Sequence, residues 1–132
     1  MSELSDMIVH SDYSRPYNTR VLAASSLAKD RVFNRMDEGL GSVKELMIDV
    51  LSGRVAYVVL SVGGFLGIGD RLFAIPWEAV KVDEDRQCLI VDIDKQRLEN
   101  APGFDKDNWP DMANASWSSG VRTYWTGGLS SK

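Results

Sequence analysis

Histidine and cysteine are nearly missing from this chain, with one of each, His10 and Cys88, in 132 residues. His10 sits in a polar leader, so a Ser–His or Cys–His triad, an imidazole acid–base pair and a multi-histidine metal site are excluded within one chain. A single cysteine excludes an intramolecular disulfide and a Cys-rich zinc cluster, and indicates neither oxidising export nor a structural zinc. Long apolar runs are also absent: nothing approaches the roughly 18 to 20 residues that span a bilayer. The opening MSELSDMIVHSDYSRP has neither a basic n-region nor an apolar h-region. These absences predict a cytoplasmic protein with no membrane span.

A basic stripe is missing too. The formal net charge is −4, and the acids concentrate between Asp83 and Asp111, where Asp83, Glu84, Asp85, Asp92, Asp94, Glu99, Asp105, Asp107 and Asp111 outnumber Arg86, Lys95, Arg97 and Lys106. Phosphate neutralisation supplies most non-specific affinity for nucleic acid. Direct nucleic-acid binding is therefore not expected.

What is present reads as one domain with two appendages. Residues 1–21 are polar and unpatterned, broken by Ser11, Ser14, Pro16 and Asn18, and predict a flexible leader. VLAASSLAK (Val21 to Lys29) makes a short helical lead-in. Successive short strands follow: RVFN from Arg31, SVKELMIDV from Ser42, RVAYVVLSV from Arg54, RLFAIP from Arg71, a strand ending at Asp83, and CLIVDI from Cys88. β-branched and aromatic content favours strands here. Between the second and third, Asp49 bonds forward to backbone amides and Gly53 takes the left-handed conformation, which predicts an antiparallel hairpin with alternate facing of Leu46 and Ile48 on one strand and Ala56, Val58 and Leu60 on the next. Pro76 ends its strand because it has no amide hydrogen. Short strands joined by turns predict a mainly β fold, a small six-stranded antiparallel barrel. Without interleaved long helices, a parallel nucleotide-binding sheet is not expected. Beyond it, Asp94 caps a short helix over 95–100, Pro102 and Gly103 stop it, and a second helical stretch is expected over about 108–118.

The motifs GSVKELMID (Gly41 to Asp49), SGRVAYVV (Ser52 to Val59), the Gly-rich loop at 63–69 and IPWE (Ile75 to Glu78) together resemble the PRC-barrel family. That family is named for the cytoplasmic domain of the photosynthetic reaction-centre H subunit, and it includes a ribosome-maturation factor and stand-alone bacterial proteins. The resemblance covers roughly residues 22–94, leaving 95–132 as a helical, aromatic extension whose APGFDKDNWP resembles an extension of the stand-alone members. It implies a six-stranded PRC-type barrel acting as an adaptor, with no catalytic motif and no cofactor to transfer. The membrane helix of the reaction-centre member has no counterpart in this sequence, so a photosynthetic role is not among the expectations drawn from the resemblance.

The loop VGGFLGIGD (Val62 to Asp70) invites a phosphate-binding reading. A P-loop ends in Gly-Lys-Ser/Thr, whereas Gly69 is followed by Asp70, whose charge repels phosphate. The dinucleotide fingerprint opens a helix, whereas this loop enters the strand RLFAIP. It reads as a hairpin connection in which Gly67 and Gly69 take positive backbone angles. Cys88, in an apolar strand, reads as a buried inert thiol. Asp92 and Asp94 are spaced for a hard cation, but helix capping by Asp94 and solvation of Asp92 explain them without one. Asp105, Asp107 and Asp111 lack the Gly and terminal Glu of a calcium loop. Ser42-x-x-Glu45 fits a capping box but precedes a strand. Asn114-Ala115-Ser116 is a glycosylation sequon without meaning in the cytoplasm.

No catalytic, cofactor or metal residue is therefore assigned. The expected function is a non-enzymatic protein-binding or assembly adaptor, self-associating as a dimer or larger, with a ribonucleoprotein or ribosome-maturation adaptor or a small-ligand barrel as alternatives. The candidate interface is Phe65, Leu66 and Ile68 in the glycine loop with Trp109, Trp117, Tyr124 and Trp125 in the tail, because aromatics bury large areas at small entropy cost.

Overall fold

Strand-forming sequence dominates the centre of the chain. In the computed structural model, which describes residues 21–28, 30–65 and 69–130, it becomes strands β1 (Arg31–Phe33), β2 (Gly39–Asp49), β3 (Arg54–Phe65), β4 (Gly69–Pro76), β5 (Val80–Asp83) and β6 (Cys88–Val91). A short helix α1 (Ala24–Leu27) precedes them, and a 3-10 turn (Trp77–Ala79) joins β4 to β5. Helices α2 (Lys95–Glu99) and α3 (Ala115–Ser130) follow. The strands form one six-stranded sheet in the order β4-β3-β2-β1-β6-β5, curled into half a barrel. The leader at 1–20 and loop residues 66–68 lie outside the described residues, and the side chains of 64, 65, 69 and 127–130 are likewise not described.

One feature of the expected barrel is corrected. β1 and β6 run parallel, with Val32 opposite Leu89, so the sheet is mixed and not purely antiparallel. Parallel neighbours need a long crossover. Here β2 to β5 provide it, and no local turn signal announces such a pairing.

The hairpins follow the turn chemistry. The Asp49 carbonyl accepts from Gly53 N at 2.8 Å, its carboxylate accepts from Leu51 N at 3.0 Å, and Gly53 has φ 74°. The register of this pair shifts twice: Lys44 is an extra residue in β2 between Val43 and Glu45, and Ala56 is an extra residue in β3, opposite the step from Met47 to Ile48. Alternation puts Leu46 and Ile48 on one face, yet Leu46 packs against the core while Ile48, near the end of the hairpin, is exposed. In β3 and β4 alternation disappears altogether: Tyr57 to Leu60 and Leu72 to Pro76 are consecutive buried residues. Strands covered on both faces read this way. The curl of the sheet covers one face, and the C-terminal tail contributes to the other, since α3 packs on β4 and on the 3-10 turn.

The tail is held at the sheet edge as well. Leu72 and Phe104 exchange two backbone hydrogen bonds of 2.8 Å each, an antiparallel bridge that occupies part of the β4 edge. Gly103 is required there, since a Cβ would lie 2.9 Å from the Leu72 carbonyl oxygen and 2.8 Å from the Phe73 ring. Asp94 caps α2 as expected, accepting from Arg97 N at 2.7 Å. The second helix begins later than expected: Asn114 accepts from Trp117 N at 2.9 Å, and the helix runs to Ser130. The residue read as part of a sequon is a helix cap.

Candidate interaction surface

The glycine loop joins two antiparallel strands, with Phe65 opposite Gly69. It is a hairpin connection, the geometry opposed to a strand-to-helix phosphate cradle. Of the residues expected at an interface, Leu66 and Ile68 lie outside the described residues, and Phe65 is described by its backbone alone.

The tail aromatics turn toward their own chain. Trp125 is only 6% exposed and joins the core with Val121, and its indole Nε1 is buried without a hydrogen-bond partner. Trp117 meets the Tyr57 ring edge-on at 5.3 Å, and the Tyr57 hydroxyl shares a 2.8 Å hydrogen bond with the Ser118 hydroxyl. Tyr124 donates its hydroxyl to the Arg97 carbonyl at 2.6 Å, tying α3 to α2, and the Arg97 guanidinium lies over its ring. Trp109 rests on Phe104, with ring centroids 5.2 Å apart, and at 38% exposure is the most open of the four.

Apolar surface is left uncovered elsewhere, at the β2–β3 turn. Val50 is 86% exposed, Leu51 97%, and the neighbouring Ile48 50%. The turn that carries them is braced from both sides: Asp49 holds Leu51 N and Gly53 N, and the Ser52 hydroxyl accepts from Arg54 N at 3.3 Å. Sequence reasoning spent Asp49 and Gly53 on the turn and passed over the two apolar residues between them. The available signal was that a turn needs no Val-Leu pair, since Asn, Gly or Ser closes it equally well.

Beside the tip lies an open groove of about 620 Å³. Val55, Ala56 and Trp77 give it an apolar lining, and Asp49 and Glu78 face Arg54 and Arg122 around it. Arg122 is ion-paired with Glu78 and lies 5.2 Å from the centre of the Tyr57 ring, so α3 helps to build the groove wall. Ser52 lines it from the turn itself.

The remaining candidates for chemistry are dispersed. Cys88 is buried, and burial pushes its thiol up, away from the thiolate that would react. Asp92 pairs with Arg35 at 3.6 Å on the surface while Asp94 caps α2, and both line a smaller groove of about 300 Å³ with Arg35 and Arg97. Among the described residues, no group of three or more His, Cys, Asp or Glu side chains is placed to hold a metal ion. Among them too, no helix is long and apolar enough to cross a membrane.

Comparison with known proteins adds a family. Residues 20–98, more than half of the chain, match the model of the PRC-barrel domain. Among solved structures, the chain is similar to the RimM 16S ribosomal RNA processing protein of Pseudomonas aeruginosa, at 20% identity and a TM-score of 0.40 over 61% of this chain. The match spans 49% of that protein, about half its length. No curated protein matches.

Proposed function

This chain belongs to the PRC-barrel domain family, and from that premise we propose that it is a non-enzymatic protein-binding adaptor that docks through the tip of its β2–β3 hairpin. The observation that carries the reading is the Val50–Leu51 pair, 86% and 97% exposed on a turn braced by hydrogen bonds. Isolated exposed apolar residues are ordinary. An adjacent pair with Ile48 behind it and, beside it, a groove whose apolar lining is rimmed by charges is the composition of a contact site. The non-enzymatic half of the proposal is supported by the burial of the single thiol and the engagement of Asp94 in helix capping. Trp109, on the tail, serves as a secondary contact.

The test is affinity capture from the native cell with the full chain and with Leu51→Asp. Loss of the captured proteins in the variant is the expected result, and an unchanged set refutes docking through the hairpin. Ribosomal proteins in the captured set would place the adaptor on ribonucleoprotein.

A further inference from the structure

We infer that the occupant of the hairpin surface is a second copy of this chain, the Val50–Leu51 tip of each copy seated in the groove of the other; this rests on the hairpin being the docking surface. A two-fold contact uses the same patch on both partners, so that patch must carry both a projection and a recess that receives it. Here they are contiguous. Asp49, Ser52 and Arg54 belong to the turn and line the groove, so a copy rotated onto this face brings its tip to the other's Val55, Ala56 and Trp77. Trp is among the residues that anchor interfaces.

Charge permits a second copy here. The chain carries a net −4, and two copies repel wherever their acids meet. Around this groove Asp49 and Glu78 are balanced by Arg54 and Arg122. With Arg122 already paired to Glu78 within its own chain, such a rim brings no net like charge together when two copies meet and gives neither a strongly acidic nor a strongly basic foreign partner an advantage. The groove between α1 and β5 is different: Asp30, Asp83 and Glu84 line it, and a copy meeting itself there would juxtapose like charges. The hydrogen bonds that brace the turn in the free chain lower the backbone ordering cost of docking.

Sedimentation equilibrium and light scattering on the full chain up to high micromolar concentration test the inference, with Leu51→Asp and Val50→Asp as variants. The wild type is expected to be a dimer. Each substitution enters a two-fold contact twice, so the dissociation constant should rise about a hundredfold or more, while thermal unfolding stays that of the wild-type monomer. A mixed sample of isotopically labelled and unlabelled chains should show intermolecular magnetisation transfer from Leu51 methyls to the Trp77 ring. A monomeric wild type, a dimer undiminished in both variants, or a dimer without that transfer overturns the inference. If the wild type is monomeric yet capture of other proteins still depends on Leu51, hairpin docking stands and only the second copy falls. If Leu51→Asp changes neither mass nor capture, both fall.

Discussion

The C-terminal tail and the β2–β3 hairpin tip treat apolar side chains in opposite ways. The tail holds Trp109, Trp117 and Trp125, three of the four tryptophans of the chain, and its aromatics lean on its own barrel: Trp125 in the core, Trp117 against Tyr57, Tyr124 bonded to Arg97. The tip holds one valine and one leucine and covers neither. Apolar content along a sequence therefore measures supply of sticky surface, and only topology decides where that surface is spent. A tail that doubles back over β4 spends it on folding, whereas the turn at the far end of a long hairpin leaves Val50 and Leu51 uncovered among the described residues.

Stability measurements break this comparison most directly. Trp125→Ala empties a core position and should cost about 3–5 kcal/mol, read as a lower urea midpoint, whereas Leu51→Asp, compared at protein concentrations dilute enough for both chains to be monomeric, should stay within about 0.5 kcal/mol of wild type. Equal losses at the two sites would mean that the tail is not packed as described. Trp125→Phe sharpens the point. It keeps most of the buried ring and removes the indole N–H that has no partner, a group whose burial costs on the order of 1–3 kcal/mol, so it should recover more than half of the loss of the alanine variant.

The strap at the β4 edge ranks next. Gly103→Ala places a methyl against the Leu72 carbonyl oxygen and the Phe73 ring. Relief requires the strap to lift, and overpacking of this kind costs about 1–3 kcal/mol. Amide exchange is the decisive readout: Leu72 N and Phe104 N, which bond across the bridge, should lose protection before the rest of β4. Uniform loss across the sheet would count against a local strap. Smaller again is Tyr57→Phe, which removes the hydrogen bond to Ser118 and keeps the ring under Trp117. A cost of about 0.5–1.5 kcal/mol in chemical denaturation is expected.

What was legible in the sequence was local. Asp49 and Gly53 announced the hairpin, Pro76 the end of β4, Asp94 the start of α2, and together with the motif order they gave a six-stranded PRC-type sheet. Each of those signals acts within a few residues of itself. The parallel pairing of β1 with β6 joins Arg31 to Cys88, and nothing near either residue encodes it. The register shifts between β2 and β3 follow from how the two strands meet, and the exposure of Ile48 near the hairpin end could not be read from alternation. α3 was misplaced because Gly120, Gly127 and Gly128 weaken helix propensity, whereas the Asn114 cap and the burial of Val121 and Trp125 hold it in place. The candidate surface was the hardest part, because how much of an aromatic side chain stays open is set by the fold around it.

The smallest expected effect tests the mirror image of the tip: not an apolar side chain left uncovered, but a charged one partly covered. Asp30 lies between α1 and β1, where its backbone bonds Leu27 and Val43, and burial raises its carboxyl above the usual carboxylate value of 3.8. A raised pKa means that the folded state holds the proton more tightly than the unfolded one. The stabilising contribution of the group is thus fully present only below the unfolded value, and it is lost as pH rises through the folded value. At neutral pH the ionised carboxylate opposes folding. Asp30→Asn keeps the size and the backbone bonds and removes the charge, so the variant should be slightly more stable than wild type at pH 7. That advantage should shrink as pH falls and close below the ordinary carboxylate range, where both carry a neutral side chain. Urea midpoints of the two proteins across this range give the answer by difference, which cancels the acid sensitivity of carboxylates common to both. A variant less stable than wild type at pH 7 would show that the ionised carboxylate is satisfied where it sits, and that partial cover on this side of the sheet carries no penalty.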